Sequence, residues 1–185
     1  WIKVDYWEEA RSVGRFEGDF FDPVAWRPEY PNPAFDNMRP DDAFWAARIV
    51  ARFDEAGIRA IVEKAQFSDP RATDYLTGVI VKRREKVLRT WLNQVNPIVD
   101  PQIDASGRLT FANAAVDAPV AAAGGRYRLQ WFRFDNTTDV RTPAGDPVET
   151  EALSAQAPAA LLQGADFIGV TVTGTSPGVD NAGGG

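Results

Sequence analysis

Apolar side chains recur at helical spacing in the region between residues 41 and 96. Three successive stretches follow this period and predict helices over about 42–53, 55–66 and 70–93. A carboxylate that can cap a helix stands at each start: Asp41 or Asp42, Asp54, and Asp69 just ahead of Pro70. Pro97 ends the third helix, because the residue before a proline avoids helical geometry.

The third predicted helix carries the basic run Lys82-Arg83-Arg84-Glu85-Lys86 beside its apolar stripe. The run is longer than one turn, so it cannot lie wholly on one face, and Arg83 projects between Ile80 and Val87 of the stripe. Because an unpaired buried guanidinium is costly, we expect Arg83 to meet a carboxylate or backbone carbonyls. The rest of the run is interpreted as a solvated helix face.

The segment 23–40 alternates prolines with aromatic residues: Pro23, Trp26, Pro28, Tyr30, Pro31, Pro33, Phe35 and Pro40. Each proline fixes its own φ and biases the preceding residue towards extended geometry. The segment is therefore predicted to be an extended arm without helix. Its aromatic rings either pack on the helices that follow or serve as a proline-rich ligand for a partner domain.

The period changes after Pro97 and Pro101, and strands are predicted over 108–114, 126–134 and 167–173. In the second of these, Tyr127, Leu129 and Trp131 share one face, and the pattern leaves open whether that face is inside or outside. Gly and Asp clusters between the strands predict short turns. Short antiparallel strands joined in this way are typical of a small β-sandwich.

Helices first and strands second predict an α+β chain. We expect a three-helix unit with an extended Pro/aromatic arm, followed by a small antiparallel β-sandwich-like module. The predicted bounds are 1–40 for the arm, 41–96 for the helical unit, 97–174 for the β module and 175–185 for a Gly-rich tail. Charge divides in the same way, with 15 Lys/Arg and 16 Asp/Glu in residues 1–95 but 5 and 10 in residues 96–185.

Composition removes several kinds of chemistry, since the 185 residues include no histidine and no cysteine. Thiolate nucleophiles, imidazole relays and Cys- or His-ligated metals are excluded, and no cofactor is expected. Oxygen-rich turns such as Asp135–Asp139 and Asp100–Gly107 lack the calcium-loop spacing and are interpreted as solvated turns. A net charge of -6 argues against nucleic acid as a partner, and no apolar run is long enough for a transmembrane segment.

Two groups of residues are candidate binding sites. Arg48, Arg52 and Arg83 could converge on an anion, because guanidinium groups match phosphate and carboxylate. The alternative is internal pairing with nearby carboxylates, namely Asp41, Asp42, Glu55 or Glu63. In the β module, Tyr127 and Trp131 are candidate exposed aromatic residues for a carbohydrate or surface ligand. No catalytic residue is predicted.

Several segments resemble the C-terminal region of long uncharacterised bacterial proteins. The segments are Trp26-Arg27-Pro28-Glu29-Tyr30-Pro31-Asn32-Pro33-Ala34-Phe35, Asp42-Ala43-Phe44-Trp45-Ala46-Ala47-Arg48-Ile49-Val50, Phe67-Ser68-Asp69-Pro70, Tyr75-Leu76 and Arg83-Arg84-Glu85-Lys86. The likeness covers roughly residues 15–97 and extends only loosely into the strand-rich part. It implies a further region upstream, kinase-like in longer members, and a location outside the cytoplasm. It implies no particular activity and transfers no functional residue.

These observations favour a non-catalytic accessory or interaction region of a larger bacterial protein. The chain starts at Trp1 without a signal peptide and finishes in a Gly-rich stretch, so we expect it to be a piece of that protein. Its partner would be the upstream domain or another protein. One alternative is part of a larger enzyme whose catalytic residues lie upstream, with Arg48, Arg52 or Arg83 reaching the substrate. A second is a carbohydrate- or surface-binding β module.

Overall fold

A computed structural model describes residues 10–163 and 167–175. The chain is α+β, and its described residues divide into a first unit that ends at Val95 and a second that begins at Asn96. The predicted boundary between 96 and 97 is one residue away from this division. The first nine residues of the predicted arm and all but the first residue of the Gly-rich tail lie outside the described residues.

Three helices of the first unit follow the apolar periodicity. They are α2 (Pro40–Ala51), α3 (Glu55–Glu63) and α4 (Pro70–Trp91), and both α2 and α3 pack on α4. Asp54 and Asp69 cap α3 and α4 as expected, by accepting hydrogen bonds from the amides of Gly57 and Arg71 at 2.7 and 3.0 Å. At the start of α2, Asp42 accepts from the amide of Arg39, which is the N-cap residue.

The arm is not wholly extended, so that part of the prediction was wrong. A single helical turn, α1, spans Pro33–Asp36. Pro33 occupies the first helical position, where a missing amide proton costs nothing, and Asn32 accepts from the amide of Ala34. A proline placed directly after a capping residue therefore starts a helix here.

The second unit contains two antiparallel sheets. The strands are β1 (Ile98–Ile103), β2 (Arg108–Asn113), β3 (Arg126–Asp135), β4 (Val140–Pro143), β5 (Val148–Thr150), β6 (Ser154–Gln156) and β7 (Phe167–Thr175). One sheet has the order β1-β2-β6. In the other, β7 pairs with β3 over residues 126–134, while β4 and β5 pair with successive parts of β3. Two single turns, α5 (Ala114–Asp117) and α6 (Ala159–Leu162), complete this unit.

One hydrophobic core contains side chains from both sheets. Its members are Leu109, Phe111, Tyr127, Leu129, Trp131, Ala157 and Leu161. The rings of Phe111 and Tyr127 meet edge to face with centroids 5.0 Å apart. The face of β3 that carries Tyr127, Leu129 and Trp131 is therefore the inner one, while Arg126 and Arg128 are exposed.

The sequence pattern missed β1 because a proline interrupts it. The pairing of β1 with β2 shifts register between Val99 and Gln102, and Asp100 adopts a φ of 51° at this irregularity. Such a bulge accommodates Pro101, which has no amide proton for the ladder. Among the described helices, none is long and apolar enough to cross a membrane.

A substitution at Gly107, in the turn between β1 and β2, tests how tightly this turn packs in the second unit. Gly107 has a φ of 81°, and an added Cβ would lie 2.7 Å from a methyl group of Leu162. Gly107→Ala should lower the free energy of unfolding by about 2 kcal/mol or more, through left-handed strain plus crowding. Gly124→Ala is the control, with a φ of 84° but open space around the Cβ, and should lose about 1 kcal/mol. Urea unfolding measures both, and equal losses would contradict the crowding at Gly107.

Candidate functional site

One face of α4 binds the backbone of the preceding arm. The hydroxyl of Tyr75 donates to the carbonyl of Phe16 at 2.7 Å, and Nε of Arg83 donates to the carbonyl of Glu17 at 2.6 Å. Nζ of Lys86 donates to the carbonyls of Asp19 and Phe21, the latter at 2.9 Å. We call Tyr75, Lys82, Arg83 and Lys86 the arm-binding face. Tyr75, Arg83 and Lys86 serve arm carbonyls that would otherwise need water or another chain, and Lys82 contacts the side chain of Asp19.

Arg83 confirms the expectation that its side chain points inward and meets a backbone carbonyl. Its guanidinium carbon also lies 4.0 Å from the ring centroid of Phe16 and 4.7 Å from that of Phe21. Cation–π contact with two rings holds the planar group in one orientation. The basic run is consequently not a simple solvated face, because Arg83 and Lys86 are only partly exposed and both hold the arm.

An ion pair adds a charged contact to the same face. Nζ of Lys82 lies 2.6 Å from a carboxylate oxygen of Asp19. The hydrogen bond and the positive charge of Lys82 lower the pKa of the Asp19 carboxyl below its ordinary value of 3.8, and Asp19 raises the pKa of Lys82. Between Glu17 and Asp19, the buried Gly18 leaves room for the Lys82 stem, which would lie 3.0 Å from an added Cβ.

The arm, α2 and α4 together enclose an open cleft of about 330 Å³, which we call the arm cleft. Its lining is almost entirely apolar: Phe21, Pro23, Trp26, Phe35 and Met38 from the arm, Ala43, Ala46, Ala47 and Val50 from α2, and Val87 and Trp91 from α4. Trp26 and Phe35 meet edge to face at 5.2 Å and remain 42% and 40% exposed. The size and composition are those of a ligand-binding cleft.

Two arginines are the charged residues in this lining. Arg83 enters from α4 and Arg27 from the arm, and among the described residues no acidic side chain lines the cleft. One terminal nitrogen of Arg27 donates to the carbonyls of Val24 and Trp26, at 2.7 and 2.8 Å. The Asp22 carboxylate is occupied by the amides of Val24 and Ala25 in its own turn. The arm cleft is thus apolar and cationic in a chain whose net charge is -6.

The three predicted anion-binding arginines are not all brought to this cleft. Arg83 lines it, whereas Arg48 within α2 and Arg52 at the C-terminal end of α2 do not. Arg48 is partly buried and Arg52 is exposed. Sequence reasoning missed Arg27, whose role depends on the turn of the arm around Val24. The only signal available was its place among closely spaced aromatic residues and prolines.

The expected exposure of Tyr127 and Trp131 was wrong. Tyr127 is 4% exposed and Trp131 is 2% exposed, because both rings lie on the inner face of β3. The Tyr127 hydroxyl has a buried partner, since it accepts a hydrogen bond from the side-chain amide of Asn113 at 3.2 Å. These rings form core packing and present no open face to a ligand.

The oxygen-rich turns use their carboxylates locally. Asp104 accepts hydrogen bonds from the hydroxyl and amide of Ser106 and from the amide of Arg108, which lower its pKa. Asp135 accepts from the amides of Thr137 and Thr138, with the same effect on its pKa. Within the described residues, no group of three or more acidic side chains is placed to hold a metal ion.

Arg83→Gln should loosen the arm. The change removes the bond to Glu17 and both ring contacts, and we expect it to lower the free energy of unfolding by about 2 kcal/mol. Cleavage by chymotrypsin at the arm aromatics should accelerate correspondingly. Arg89→Gln on the exposed face of the same helix is the matched control and should change neither quantity. Equal protease sensitivity of the two variants would show that Arg83 does not hold the arm.

The Asp19–Lys82 pair predicts a pH effect of defined sign. The folded-state pKa of Asp19 is lowered, so its stabilising contribution is present above the unfolded pKa and is lost as pH falls through the folded pKa. Carbon-13 NMR of the Asp19 carboxyl should give a midpoint below 3.8. Lys82→Met should return it to the ordinary value, whereas Lys64→Met, on an exposed residue, should not move it. An unchanged midpoint in Lys82→Met would contradict the assignment.

Comparisons of the chain with protein-family models, with curated proteins and with solved structures find no match. The functional interpretation therefore depends on the arm cleft and its two arginines.

Proposed function

We propose that this chain is a non-catalytic accessory region of a larger bacterial protein, and that its first unit binds an extended protein segment in the arm cleft. The observation that carries the proposal is the cleft itself: about 330 Å³, open, and apolar apart from Arg27 and Arg83. The segment belongs to the upstream domain of the parent protein or to another protein outside the cytoplasm. We also propose that the first unit is a three-helix unit and that the second is a sandwich-like β module.

Burial of apolar surface supplies the affinity in this proposal. Trp26, Phe35 and Trp91 offer large ring faces, and transfer of a partner's apolar side chains onto them removes both surfaces from water. The alanines of α2 leave the space that such side chains would fill. Exposed apolar clefts of this kind mark interaction sites more often than ordinary surface.

Preorganisation supports the same interpretation. Arg83 and Lys86 hold the arm through the carbonyls of residues 17, 19 and 21, and the Trp26 and Phe35 rings pack against each other, so this wall is formed before a segment binds. A preformed cleft avoids much of the entropy cost that weakens binding by mobile loops. A cleft that is open to solvent suits an extended peptide better than an enclosed small molecule.

The alternative, a part of a larger enzyme, is supported by one observation: Arg83 lines an open cleft. In that case substrate bound by an upstream catalytic domain would reach Arg83. Arg83→Lys in the full-length protein separates the two functions. Lost turnover with an unchanged melting temperature favours the enzyme, and unchanged turnover favours the accessory region.

Peptide binding measured by NMR tests the proposal directly. Acetyl-Gly-Leu-Trp-Gln-Gln-Gly-amide, unlabelled, should shift the indole signals of Trp26 and Trp91 in the nitrogen-15-labelled chain, while the signal of the buried Trp131 stays constant. Ala46→Phe fills the cleft from an exposed position of α2 and should weaken binding at least about five-fold. Ala60→Phe, on the exposed face of α3, is the matched control and should bind like the wild type.

Two outcomes would overturn the proposed function. The first is the absence of any shift at Trp26 and Trp91 at millimolar peptide. The second is equal binding by the Ala46→Phe and Ala60→Phe variants, since binding would then take place outside the arm cleft.

A further inference from the structure

We infer that the segment bound in the arm cleft is acidic, with a carboxylate next to its apolar side chains. This inference rests on the proposed function and names the chemistry of the partner. It follows from the placement of Arg27 and Arg83 in a lining whose described residues include no carboxylate. A carboxylate accepts paired hydrogen bonds from a guanidinium, so one acidic side chain can pair with each arginine.

Arg83 is prepared for an anion by its surroundings. Among the described residues its single hydrogen bond is the one from Nε to the Glu17 carbonyl, which leaves its terminal nitrogens as donors. The rings of Phe16 and Phe21 both contact its guanidinium group. A planar cation held by two rings retains its fork of donors in a fixed position, which reduces the ordering cost of pairing with a carboxylate.

Arg27 supplies a second positive charge at the arm side of the cleft. Its bonds to the carbonyls of Val24 and Trp26 use one terminal nitrogen and fix the group at this turn of the arm. Its remaining nitrogens donate to no other residue in the described part of the chain. Because Trp26 and Arg27 line the same cleft, a segment that places an aromatic side chain on Trp26 can bring a neighbouring carboxylate to Arg27.

Two carboxylates in the described part of the arm are engaged away from these two charges. Asp22 accepts two backbone amides of its own turn, and Asp19 pairs with Lys82. The lining consequently carries two positive charges in a chain of net charge -6. The cleft repels a basic segment and attracts an acidic one, so charge both selects the partner and strengthens its binding.

Three matched peptides test the inference: acetyl-Gly-Leu-Trp-X-X-Gly-amide with X as Glu, Gln or Lys. The Glu peptide should bind about five-fold tighter than the Gln peptide, and the Lys peptide more weakly than either. Raising sodium chloride from about 20 mM to about 500 mM should reduce the preference for Glu, because salt screens exposed charges. The Trp26 and Trp91 indole signals report all three titrations.

Arginine variants test whether Arg27 and Arg83 cause the preference for the Glu peptide. Arg27→Gln and Arg83→Lys should each reduce the Glu-over-Gln ratio at least about two-fold. Arg52→Gln removes an exposed arginine of α2 outside the cleft and should leave the ratio intact. Arg83→Lys keeps the positive charge and a donor for Glu17 but loses the planar fork, so it probes geometry without abolishing arm retention.

The results that would overturn this inference differ from those that would overturn the proposed function. Equal binding of the three peptides overturns this inference and leaves the proposed function intact, whereas no binding by any peptide overturns the proposed function. The inference is also overturned if Arg52→Gln loses the preference for the Glu peptide while Arg27→Gln and Arg83→Lys keep it. That result would assign the preference to another surface. A concentration-dependent dimer that shifts the Trp26 and Trp91 signals without peptide overturns it too, because the occupant would then be a second copy.

Discussion

The first unit depends on hydrogen bonds from side chains of α4 to the backbone of the arm. The carbonyls of Phe16, Glu17, Asp19 and Phe21 belong to an irregular segment that has no strand partner to satisfy them. Backbone polar groups packed against apolar side chains need donors. On α4 the donors to these carbonyls come from positions 75, 83 and 86, and Lys82 adds its ion pair with Asp19. Spacings of three, four, seven and eight residues place these four positions on one helix face. Without that spacing the arm could not lie here.

The arm cleft is a consequence of this attachment. Hydrogen bonds fix the arm at residues 16–21, and the chain then turns around Val24 so that Trp26 and Phe35 stand opposite Ala43 and Ala47 of α2. Large rings on one side and small side chains on the other leave a gap that local packing does not close. The same small residues let α2 approach α4 closely, so the gap is compatible with a well-packed helical base.

Local patterns in the sequence predicted the long elements and one tertiary contact. Helical periodicity and the caps Asp54 and Asp69 predicted α2, α3 and α4, and the position of Arg83 within an apolar stripe predicted its inward direction. The strands β4, β5 and β6 were missed because three or four mostly exposed residues show no alternation.

The cleft could not be predicted, since its lining residues extend from Phe21 to Trp91 along the chain and meet only through tertiary packing. The buried face of β3 was ambiguous for a related reason. Alternation identifies the two faces of a strand without saying which one its neighbours cover.

The two roles of Arg83 couple retention of the arm to occupancy of the cleft. Its Nε holds the Glu17 carbonyl, and its terminal nitrogens, which donate to no described residue, would pair with a carboxylate of a bound segment. A segment that pairs with Arg83 binds only the state in which the arm is in place, and so it stabilises that state in proportion to its occupancy. Reciprocally, any change that releases the arm weakens binding by the same free energy. Binding in the cleft and attachment of the arm are thus thermodynamically linked.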